Sequence, residues 1–127
     1  MDSREKNRLF RQGIDAFNTS RFFEAHEHWE EVWLQAPAPE KILLQGLIQI
    51  AAGFHHYSRD NRQGARSLFQ AGLAKLESGP DIYREIRLNS LRQAVRRWLA
   101  ALEEGKDPTQ VQSPRIVGAP KPPAIPE

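Results

Sequence analysis

The side chains whose ordinary pKa lets them both bind a metal ion and move a proton near neutral pH are the four histidines, and they fall in two strings. The first, FFEAHEHWEEVW at 22–33, sets His26 and His28 among four glutamates. At about 100° per residue, Phe22, His26, Trp29 and Trp33 share one helical stripe, with Glu30 on its edge and Glu27 further round. His28 and Glu24 point away from it. The second string, LLQGLIQIAAGFHH at 43–56, places His55 on a stripe with Leu44, Ile48 and Ala51, and Gln45, Gln49 and His56 beside it. His26 and His55 are thus polar groups on apolar lines, where an unpartnered imidazole or carboxylate is costly.

The inner polar cluster expected from this pattern is His26, Glu27, Glu30, Gln45 and His55. Three kinds of chemistry suit it. As a hydrogen-bonded network it sets how the two helices pack. As a metal site, His26, Glu30 and His55 are a reasonable ligand set for a divalent ion such as Zn, Mn, Fe or Ni. The His26/Glu30 spacing is also similar to that of ligand pairs in helical-bundle metal proteins. As an acid–base pair, a His beside a Glu serves proton transfer, although no nucleophile or phosphate loop accompanies it. The run from His26 to Glu30 departs from the zinc-protease HExxH pattern, because Glu30 stands where the second histidine belongs.

The elements that must position these residues read as helices, five in number. They run from about Ser3 to Phe17, Arg21 to Leu34, Pro39 to Ser58, the Asp60-Asn61 turn to just before Gly79-Pro80, and Ser90 to Gly105. Pro39 suits a first helical turn, Asp60 or Asn61 can cap the fourth helix, and Ser90 with Gln93 reads as a capping box. The stretch from Asp81 to Asn89 reads as a turn of helix and a loop. Phe17, Phe22, Ala25, Trp29 and Trp33 align with Tyr57, Arg62, Ala65, Phe69 and Leu73, forty positions on. This internal repeat suggests two stacked helical hairpins similar to tetratricopeptide units. The expected fold is therefore all-α, an irregular array of about five helices over residues 1–106. Six of the nine prolines lie beyond residue 107. Residues 107–127 read as an extended or disordered tail, or as an arm laid on its own domain or a neighbour.

Composition narrows the function classes. Lys plus Arg is 18 and Asp plus Glu 16, a net charge of +2 that argues neither for nucleic acid nor for an anionic membrane. Arg84, Arg87, Arg92, Arg96 and Arg97 make one region basic, but no aromatic ladder accompanies them. Arg92, Gln93, Arg96 and Arg97 read as a solvated face beside Leu91, Ala94, Trp98 and Leu102. The absence of cysteine removes disulfides, thiolate ligands and cysteine nucleophiles. The polar first residues lead into no apolar run, and no stretch approaches the roughly 18 apolar residues of a membrane span. The expected setting is the cytoplasm, with no membrane partner.

The two strings in this order, followed by a polar turn and the helix ending near Leu76, resemble the domain-of-unknown-function 309 family. The resemblance covers about residues 7–102. The matching positions are Phe23, Glu24, His26, Glu27, Glu30 and Trp33, then Leu44, Gln45, Gly46, Ala51, Ala52 and His55, whereas His28 and His56 fall where the pattern is free. The resemblance implies a small all-helical array, adds the stroma as the setting in a plastid-bearing organism, and supplies no activity. Two function classes lead, ahead of an RNA-binding accessory that would use the Arg84 to Arg97 surface. One is an interaction or scaffold protein whose partner is another protein or itself. The other is a divalent-metal enzyme, a hydrolase by preference, using the same His/Glu group.

Overall fold

The computed structural model describes residues 1–108 and 116. Five helices carry the chain: α1 Ser3–Asn18, α2 Phe22–Gln35, α3 Ala38–Ser58, α4 Arg62–Leu76 and α5 Leu88–Glu103. Each packs on the next in sequence, and α3 against α4 is the most extensive pair. The all-α expectation holds. Asp2 and Asn61 start their helices by accepting the backbone N–H of Glu5 and Gly64, each at 2.9 Å.

The forty-residue repeat is structural as well as sequential. Ser20 and Asp60 both adopt the left-handed conformation, at φ 62° and 61°. After each, the next residue's N–H returns to the carbonyl five positions back, Arg21 to Ala16 at 2.8 Å and Asn61 to His56 at 2.9 Å. This is the Schellman closure of a helix C-terminus. Gly105 repeats it after α5, where Lys106 N–H reaches Ala101 O at 2.9 Å. The first two turns lead straight into another helix, so α1–α2 and α3–α4 are equivalent hairpins.

Phe54 of α3 gathers the core. Its ring meets Phe17 of α1, Phe22 of α2, Phe69 of α4 and Trp98 of α5, with centroids 4.6–5.7 Å apart. The tight α3–α4 approach depends on Gly72, where a Cβ would stand 2.9 Å from the Gly46 carbonyl oxygen and 2.8 Å from Ile50 Cγ1.

Two local expectations are corrected. The stretch after α4 is a small antiparallel hairpin, β1 Ile82–Tyr83 and β2 Ile86–Arg87, with Tyr83 opposite Ile86. Its turn carries Arg84 at φ 52°, a role usually filled by Gly or Asn, so the usual hairpin signal is missing from the sequence. Helix α5 starts at Leu88, with Arg87 at the N-cap, and Ser90 lies inside the first turn rather than capping it. The reason is that Asp81 O accepts the Leu88 N–H at 2.8 Å, so the hairpin supplies the acceptor that a cap would have supplied.

Arg92 is a third correction. It is buried, and its Nη1 donates to the Leu76 carbonyl at 2.6 Å. A cation placed on the last carbonyls of α4 satisfies them and complements the helix dipole. Of the other arginines read as a basic region, Arg84 pairs with Glu40 and Arg96 with Glu77. The tail also departs from a free end at the points described. Tyr57 donates to Asp107 Oδ1 at 3.0 Å, and both Pro108 and Ile116 are buried.

Candidate functional site

Helix α2 buries Ala25, Trp29 and Val32, an i, i+4, i+7 line. The Trp29 indole lies flat on Gly13 of α1, and its N–H donates to Phe10 O at 3.1 Å. This contact turns α2 so that its buried line faces α1. The stripe expected from the wheel is rotated as a result. Trp29 stays central, while His26 and Trp33 move to the edge that borders α3.

His26 is half-buried there. Its Nε2 lies 3.2 Å from Glu30 Oε1, with the histidine side chain 25% exposed and the glutamate 52%. Phe23, one turn back towards the helix start, stacks on His26 at 5.9 Å between centroids and leans on His55 of α3 at 5.3 Å. Phe23 itself is 52% exposed. His55 prefers its neutral form: burial lowers its pKa below the usual imidazole value, and the charges of Arg59, His56 and His26 lower it further. Next to it, the Asn61 amide lies 3.0 Å from His56 Nδ1. Further along the same helix pair, Lys41 Nζ sits 4.4 Å from the Trp33 ring centroid, a cation–π contact.

The expected inner cluster is therefore only partly assembled. His26, Glu30 and His55 gather around Phe23, at an edge and not in the core. Glu27 and Gln45 are exposed. Among the described residues, no three His, Asp or Glu side chains converge as a metal-binding group. The chemistry within reach of this geometry is an imidazole–carboxylate pair flanking an exposed aromatic ring.

Three participants lay outside the expected cluster: Phe23, Trp33 and Gln49. Phe23 lies on the exposed 23, 27, 30 row and was legible only as part of the family pattern. His26 Nδ1, Trp33 Nε1 and Gln49 Oε1 are buried without a hydrogen-bond partner among the described residues. Gln49 was visible beside Gln45 on the α3 wheel, but which glutamine faces α2 depends on how the helices are set against each other.

A second polar cluster joins the β-hairpin to the helices. Tyr83 donates to Glu40 Oε1 at 2.9 Å, and Arg84 donates to Glu40 at 3.2 Å and to Asn7 Oδ1 at 2.9 Å. Burial pushes the Tyr83 phenol up to about 12, with Arg84 opposing and Glu40 adding to the rise. These partners span α1, α3 and the hairpin, a set of contacts that no local pattern predicts.

Residues 10–68 match the family DUF309, a domain of unknown function. The DUF309 resemblance carried by the two histidine strings is thus shown over α2, α3 and the parts of α1 and α4 that flank them. An uncharacterized protein of Aquifex aeolicus (strain VF5) is 33% identical over 101 residues, which cover 79% of this chain and 30% of that protein. The uncharacterized protein YpuF of Bacillus subtilis (strain 168) is 32% identical over 66 residues, covering 51% of this chain and 38% of that one. The matched part of the chain therefore spans about a third of the length of either relative. Among the described residues, no helix is long and apolar enough to cross a membrane.

Proposed function

We propose that this DUF309 chain acts by binding another protein through the outer face of the α2–α3 hairpin, centred on Phe23. The observation that carries the reading is that ring: a phenylalanine left 52% exposed yet held between two imidazoles. Aromatic anchors of this kind dominate the energetics of protein interfaces. Glu24, Glu27, Glu30 and Glu31 lie on the same helix, and the fitting partner presents an apolar residue flanked by Lys or Arg. The buried polar atoms of His26, Trp33 and Gln49 support this reading, since a partner's polar groups can satisfy them after a small side-chain shift.

The test compares the proteins retained from the producing cell by immobilised wild type, by Phe23→Ser and by a Glu27→Lys/Glu31→Lys double variant. All three changes are on exposed positions, so the fold should survive. A partner retained in stoichiometric amount by wild type should be lost with Phe23→Ser and weakened about tenfold or more by the charge reversal. Sedimentation of the isolated protein shows whether that partner is a second copy. Equal retention by wild type and both variants would overturn the proposal.

A further inference from the structure

A separate feature lies at the C-terminal end of α1. Asn18, the last residue of that helix, makes two hydrogen bonds to a single residue of the C-terminal segment: its Nδ2 donates to Ile116 O at 3.0 Å, and its Oδ1 accepts from Ile116 N–H at 2.8 Å. The Ile116 side chain is 2% exposed and belongs to the same buried cluster as Phe17 and Phe54. A carboxamide offers one donor and one acceptor side by side, which match the C=O and N–H of one extended residue. Asn18 therefore reads the backbone without regard to sequence, while the apolar pocket reads a branched aliphatic side chain. Backbone pairing for affinity combined with a pocket for specificity is the way extended peptides are recognised.

Nothing in these contacts requires Ile116 to be covalently attached to the body it docks on. Along the chain, seven residues, 109–115, separate buried Pro108 from buried Ile116. A tie of so few residues presents its end at an effective concentration of order millimolar, which favours docking in cis at ordinary protein concentrations. We propose that Asn18 and the pocket beside it form a peptide-binding site for an extended segment bearing isoleucine, filled in cis by residue 116 and filled in trans by the same segment of a second copy. The trans complex uses the same atoms as the cis contact, so its complementarity is the one already observed. The site is distinct from the Phe23 surface, and either proposal stands if the other fails.

The experiment is an NMR titration of full-length ¹⁵N-labelled chains with a synthetic peptide of residues 112–120. The Ile116→Asp chain, whose own tail no longer competes, should show a saturable shift of the Asn18 side-chain amide. Its apparent affinity should be at least tenfold tighter than that of wild type. A peptide carrying aspartate at the isoleucine position should leave that signal unmoved. The Ile116→Asp chain should also shift on adding unlabelled Asn18→Asp chain, which supplies a tail but cannot clamp one. Ile116→Ala takes the place of the aspartate variant should that fail to fold. Absence of a saturable Asn18 shift up to a few millimolar peptide, with the chain folded, refutes the proposal. A shift from the peptide but none from the Asn18→Asp chain refutes the second copy as the occupant.

Discussion

Gly13 carries more of the architecture than its size suggests. A Cβ there would stand 2.1 Å from Trp29 Nε1 and 2.5 Å from Cδ1, while Trp29 is fully buried. Alanine is the better helix former by about 1 kcal/mol, so an unobstructed site would gain from Gly13→Ala. Here the indole has nowhere to retreat without losing its 3.1 Å bond to Phe10 O. Overpacking costs about 1–3 kcal/mol. Gly13→Ala is therefore expected to be net destabilising by that order, a fall of several degrees in Tm by calorimetry. A raised Tm would show that the contact is not tight. The same contact sets the rotation of α2 and so decides that His26 borders α3 at the surface.

At the scale of elements, the two hairpins share one device. Ser20 and Asp60 close α1 and α3 in the left-handed conformation, as Gly105 closes α5. A side chain there costs about 1–2 kcal/mol relative to glycine, which in return loses about 0.5–1 kcal/mol more chain entropy on folding. Ser20→Gly and Asp60→Gly should each stabilise the protein by about 0.5–1 kcal/mol, read as an increased urea midpoint with an unchanged slope. The symmetry of the turns predicts similar gains at both sites. A gain at one and a loss at the other would mean that the repeat ends at backbone geometry. Between α4 and α5 the closure is different: Arg92 of α5 satisfies the last carbonyl of α4, and the Asp81 carbonyl at the base of the β-hairpin accepts the first N–H of α5.

The whole molecule should show a stability plateau bounded by two residues at opposite ends of α3, His55 within it and Tyr83 bonded to Glu40. The His55 pKa is lowered in the folded state, so its contribution is complete above the unfolded value of about 6.5. That contribution is lost as pH falls through the depressed folded value. The Tyr83 pKa is raised to about 12, so its contribution is complete below the ordinary value of 10.0 and is lost as pH rises through about 12. Denaturant melts across this range should show stability falling on both flanks. His55→Gln should flatten the acid flank and Tyr83→Phe the alkaline one. Identical pH profiles for wild type and both variants would contradict the assignment.

Five helices, a cap at Asp60 or Asn61 and the repeat of forty were legible in the sequence alone. All rest on short-range physics: apolar spacing that matches the helical period, capping side chains, and turn positions close along the chain. The DUF309 strings were legible for the same reason, being contiguous. Tertiary structure alone decided which polar residues meet. A helical wheel gives the direction of a side chain but not the position of the neighbouring helix. It therefore placed His26 in the core, grouped Glu27 and Gln45 with it, and read Arg92 as solvated. The indole of Trp29 on Gly13, the hairpin at Arg84 and the Asn18 clamp on Ile116 join residues 16, 44 and 98 positions apart. At those separations nothing local in the chain records the contact, and only packing of the whole array brings the partners together.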